Sequence, residues 1–74
     1  MDKVLFPLSQ NFRLASDGIQ WIVERRVGKS ERFIPISFHR HKEGLLFRLF
    51  SKTRPIEIHP DALSLINGLP DRIE

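Results

Sequence analysis

Three histidines, His39, His41 and His59, are the residues of this 74-residue chain best suited to metal or acid–base chemistry. His39 and His41 flank Arg40 and, two apart on an extended segment, fall on one side of it. Zinc takes three or four protein ligands, and the chain has no cysteine, so Glu43 or Asp61 would have to complete a site. Arg40 and Lys42 beside them repel a cation. The reading is therefore of histidines on a basic surface, with no metal. Gly28-Lys29-Ser30 has the ending of a phosphate loop, but the full pattern needs a glycine five positions before Gly28, where Val23 stands. It reads as a turn. Nucleophilic catalysis needs a nucleophile, a base and an orienting group held together, and no spacing selects such a set. The expectation is a protein that is not an enzyme and carries no cofactor.

The chemistry that the sequence does concentrate is positive charge. Residues 25–54 hold nine basic side chains, among them Arg26, Lys29, Arg32, Arg40, Arg48 and Lys52, against Glu31 and Glu43, a net of +7. Residues 1–24 net −1 and residues 55–74 net −3, for +3 overall. The pI of 10.0 exaggerates this, because without Cys or Tyr little titrates between the α-amino group and lysine. A block this skewed attracts anionic partners. Eight of the twelve basic residues are Arg, which contacts phosphates and carboxylates bidentately.

These residues need elements to hold them. At this length the chain holds one small domain, 1–74, with residues 1–10 as an N-terminal arm. Phe12–Ser16 reads as a strand and 19–27 as a longer one, joined by Asp17-Gly18 as a two-residue hairpin turn. Ile19, Trp21, Val23 and Val27 share the face that should be buried; Glu24 and Arg26 share the other. Residues 32–38 form a third strand with Ile34, Ile36 and Phe38 on one face, and Pro35 places it at an edge or a bulge. Leu45, Leu46, Leu49 and Phe50 recur at helical spacing, which predicts a helix over 40–52 with a strand over 45–50 as the competing reading. Pro60 opens a second helix with Ala62, Leu65, Ile66 and Leu69 inward, ended by Gly68 and Pro70. The fold class is α+β: a three-stranded antiparallel β-meander followed by two short helices packed on one sheet face. The apolar arm Val4–Leu8 is left over, either as an added strand or as a partner contact. It is too short for a signal peptide or a membrane span, so a cytoplasmic protein that contacts no membrane is expected.

The strand WIVERR over Trp21–Arg26, the turn at Gly28, the strand over 34–38 and Lys42-Glu43 leading into Leu45-Leu46 resemble, in layout, the three-stranded DNA-binding domains of plant AP2-type factors and of tyrosine-integrase arm-binding domains. The resemblance covers residues 12–52. It implies a sheet laid in the major groove of duplex DNA, with Arg13, Arg26 and Arg32 on bases and phosphates. The segments FRLASDGIQWIVERR, ISF and INGLPDRI also resemble small proteins encoded in bacterial prophages and other mobile elements. Such proteins act by binding DNA, a regulator or a defence complex.

The functional expectation is non-catalytic binding. Nucleic acid would dock on Arg13, Arg26, Lys29, Arg32, Arg40, Arg48 and Lys52. The alternative is an acidic protein surface met by the same residues, with Phe6, Leu8, Phe33 and Phe47 as apolar contacts and a homodimer as one form of the assembly.

Overall fold

The sheet begins earlier in the chain than the first expected strand, and the computed structural model, which describes residues 3–73, has four strands. They are β1 (Lys3–Pro7), β2 (Phe12–Ser16), β3 (Trp21–Arg26) and β4 (Phe33–His39). Each pairs antiparallel with the next, in the order β1-β2-β3-β4. Two helices follow, α1 (Lys42–Leu49) and α2 (Pro60–Asn67). The α+β class and the meander hold, but the three-stranded sheet is corrected to four. The arm is the fourth strand: Val4 pairs with Ala15 and Phe6 with Leu14. Leu8 is wholly buried in the chain's own core, with its carbonyl accepting from the His59 amide at 2.8 Å, so it is not a free interface residue. Met1 and Asp2, the start of the expected arm, lie outside the described residues.

The turn after β2 differs from the expectation. Asp17 and Gly18 do not close a two-residue loop. Residues 17–20 form a four-residue one, closed by Ser16 opposite Trp21. Asp17 organises it: Oδ1 accepts from the amides of Ile19 and Gln20, and Oδ2 from the Gln20 side chain. Gly18 takes φ +96°, a conformation that side chains with a Cβ resist. Ile19 and Val27, expected inside, are therefore outside the strand and exposed.

Two bulges reset the strand phase. Leu5 is the extra residue in β1, between the Val4 and Phe6 pairs. Ile36 is the extra residue in β4, where Val23 faces Ser37 and Glu24 faces Pro35. The β4 bulge sits beside Pro35 on an edge strand, as a residue without an amide hydrogen requires. It also splits the triplet expected on one face. Phe38 falls opposite Ile22 on the outer face, while Ile36 packs on the core.

The inner face of the sheet carries Leu14, Trp21 and Val23. They are packed with Leu45 and Leu49 of α1, Ala62 and Ile66 of α2, and Leu8 and Ile56 from the connections. Trp21 is the largest side chain in this cluster and is 1% exposed. The residues 45–50 lie in the helix reading, but α1 is shorter than 40–52, and Phe50, past its end, is exposed rather than inward. In α2, Pro60 stands in the first turn, where its missing amide hydrogen costs nothing, and Leu65 faces out instead of in. The segment after α2 is strapped back to the start of α1. The Lys42 ammonium donates to the Asn67 and Leu69 carbonyls at 2.9 Å each, the Lys42 amide donates to Asp71 O at 2.7 Å, and His41 bridges Arg72. Among the described residues, no helix is long and apolar enough to cross a membrane.

Leu14→Ala deletes a fully buried branched side chain and is expected to lower the unfolding free energy by about 3 kcal/mol. Gly18→Ala, at positive φ, is expected to cost about 1 kcal/mol. Urea unfolding of both variants checks the order of the two effects.

Candidate binding surface

The four-residue loop decides what happens to the arginines of the sheet. A two-residue turn would set Arg13 against Ile22; the longer loop moves the register by two and sets Arg13 against Glu24. A shift of two keeps every side chain on its face, so the inward set survives while the cross-strand partners change. Arg13 Nε donates to Glu24 Oε1 at 2.6 Å, the one ion pair among the described residues. Glu24 is 7% exposed, so its carboxylate is largely removed from water and held by this guanidinium. Phe33, opposite Arg26 on β4, completes the arrangement. The Arg13 guanidinium carbon lies 4.1 Å from the Phe33 ring centre, and that of Arg26 5.4 Å. The negative ring face attracts both cations. Arg26 Nε also donates to the Gln10 carbonyl at 3.1 Å.

Arg13 and Arg26 thus form a braced cluster with Glu24 and Phe33 rather than a pair of free phosphate ligands. Phe33 is a platform for them rather than an exposed contact. Phe6 is half-buried and packs against the core. Phe47 stands out from α1 at 84% exposure, with Phe50 at 53% beyond the helix end. Both border a hollow of about 560 Å³ that Lys52 also lines.

The remaining cations divide differently. Lys29 and Arg32 are exposed on the β3–β4 hairpin, whose turn is held by Ser30 and by Gly28 at φ +57°. Neither side chain has a hydrogen-bond or ion-pair partner among the described residues. Arg48, in the last turn of α1, donates to the Arg54 carbonyl at 2.9 Å. Lys52 and Arg54 are exposed in the loop beyond. Arg40 lines a separate hollow of about 500 Å³ with His41 and Arg72. Lys42 is spent on the α2 carbonyls. Arg25, Arg54 and Arg72 are exposed cations that the sequence reading did not single out. Arg25 alternates in phase with Trp21 and Val23, but its end of the strand lies open.

The histidines are dispersed. His41 and His59 are the residues just before α1 and α2, and His39 Nε2 meets Ser37 Oγ at 2.9 Å. Among the described residues, no group of three or more His, Cys, Asp or Glu is placed to hold a metal ion. Burial holds the His39 imidazole below its ordinary pKa, and the charge of Arg48 pushes the same way. A base with a lowered folded pKa leaves the unfolded state holding more protons. Stability should therefore be full above about pH 6.5, the unfolded value, and decline as pH falls toward the folded one. His39→Gln is expected to flatten that decline in pH-dependent thermal melts. Glu24→Gln, which strips the carboxylate from Arg13, is expected to cost about 1–3 kcal/mol at neutral pH by urea unfolding.

Comparison of this chain with known protein families, with curated proteins and with solved structures finds no match.

Proposed function

We propose that the protein is a non-catalytic binder of nucleic acid that docks phosphates on the β3–β4 hairpin and on α1 with its following loop. The observation that carries this reading is the state of the cations. Lys29, Arg32, Arg40 and Lys52 are exposed with side chains that have no partner among the described residues, and Arg48 and Arg54 lie close together. Acidic residues are few in the same stretch. Free cations of this kind displace counterions from a phosphate backbone, which gives affinity without sequence reading. The bracing of Arg13 and Arg26 by Glu24, Phe33 and the Gln10 carbonyl moves the docking surface away from the sheet face.

A second reading, an apolar contact with a protein partner, is favoured by Phe47 and Phe50 beside their hollow. Exposed aromatics that border a concavity suit a partner's side chain.

Anisotropy of a labelled random duplex, titrated with protein over a salt series, separates the two. Nucleic-acid binding predicts affinity that falls linearly in log–log against salt. Lys29→Glu with Arg32→Glu should weaken binding by roughly tenfold or more and reduce the slope by about 2, with the thermal midpoint nearly unchanged. Arg13→Gln should change affinity far less. No binding at low salt would overturn the reading and turn attention to Phe47 and Phe50.

A further inference from the structure

The outer face of the sheet carries an apolar row beside a charged one, and the helices pack on the opposite face. Both helices pack into the cluster on the inner face. The pairings put Val4, Ala15, Ile22 and Phe38 in one row across all four strands of the outer face. The two central members, Ala15 and Ile22, are 1% and 3% exposed, while Val4 and Phe38 at the edges are 48% and 54% exposed. The next row holds the Arg13–Glu24 pair between Pro7 and Pro35.

We propose that this face is the interface between two copies of the chain, packed sheet on sheet. Charge selects the occupant. Of the basic block over 25–54, only Arg26 belongs to the outer rows, and there the Arg13 charge is cancelled by Glu24. The face is close to neutral in a basic molecule. With Arg26 as its one unpaired charge among the described residues it offers little field to a nucleic acid or an acidic protein, and a second basic copy meets little repulsion there. Two aligned sheets pack face to face about 10 Å apart.

The area agrees. Four strands at about 4.8 Å spacing and five to seven residues long make a face on the order of 400 Å² in plan. With side-chain relief, two such faces bury on the order of 1,000 Å² in total, at the lower bound for a specific interface. The dimer should therefore dissociate on dilution.

Sedimentation velocity of the full chain over roughly 1–300 µM tests this, in the range where weak dimers dissociate. The mass should rise from one chain to two. Phe38→Asp and, independently at the opposite edge, Val4→Asp should each move the midpoint at least tenfold higher in concentration; both sites are half-exposed, so the fold should tolerate them. Phe47→Asp should leave the midpoint in place. Raising salt from about 0.1 to 1 M should not dissociate the dimer, since apolar burial is not screened. A mass of one chain throughout would overturn the proposal. So would a dimer that salt or Phe47→Asp breaks while Phe38→Asp and Val4→Asp spare it. Neither result depends on whether the protein binds duplex.

Discussion

Everything in this fold leans on the contact between one sheet face and two eight-residue helices, with Trp21 in the middle of it. Helices of that length do not persist alone in water, because nucleation is costly and few hydrogen bonds follow it. A four-stranded meander with an open apolar face is equally dependent. Leu45 and Leu49 on one helix, and Ala62 and Ile66 on the other, reach the sheet from positions four apart, one turn each. Lys42 ties the start of α1 to the end of α2. Its ammonium takes carbonyls at the far end of α2, where a helix leaves its acceptors unsatisfied and its dipole is negative. A residue that composition would count with the phosphate ligands is in fact a fastener.

The same contact governs which cations are available. Side chains tied to the inner face or to the helix ends are unavailable to a partner, and so are those gathered around Phe33. The exposed remainder includes Lys29 and Arg32 on the hairpin, Arg40 ahead of α1, and Lys52 and Arg54 on the loop after it. Charge in this molecule is sorted by packing, not by sequence position.

Much of the layout was legible because it depends on residues with strong local meaning. Trp21 within an alternating strand, Pro60 at a helix start, Gly68 and Pro70 at its end, and Pro35 at a bulged edge each left one physical option. The fourth strand was legible only in part: Val4–Leu8 is apolar, but Pro7 ends it early, and nothing local says whether such an arm pairs with its own sheet. The binding surface was less legible. Residue types show that Arg13 and Glu24 carry opposite charges, but their meeting depends on a loop length that Asp17-Gly18 did not fix. Asp17 makes three hydrogen bonds across the four-residue loop, a choice settled by side-chain geometry that a dipeptide signal does not contain. The bulge at Ile36 hid the outer row in the same manner, since alternation counted through a bulge puts Phe38 on the wrong side.

The order of the strands has a kinetic consequence. Every strand pairs with its sequence neighbour, across connections of four, four and six residues. Closing such short loops sacrifices little chain entropy, so the transition state for the sheet can be reached by local zipping rather than by a search for distant partners. The slower and more expensive closures are the strap, which joins the start of α1 to residues near 70 across about thirty positions, and the bond from the His59 amide to the Leu8 carbonyl, which spans about fifty. A chain built this way assembles its sheet from contacts that are always within reach, and leaves the long-range closures of helix on sheet to seal it.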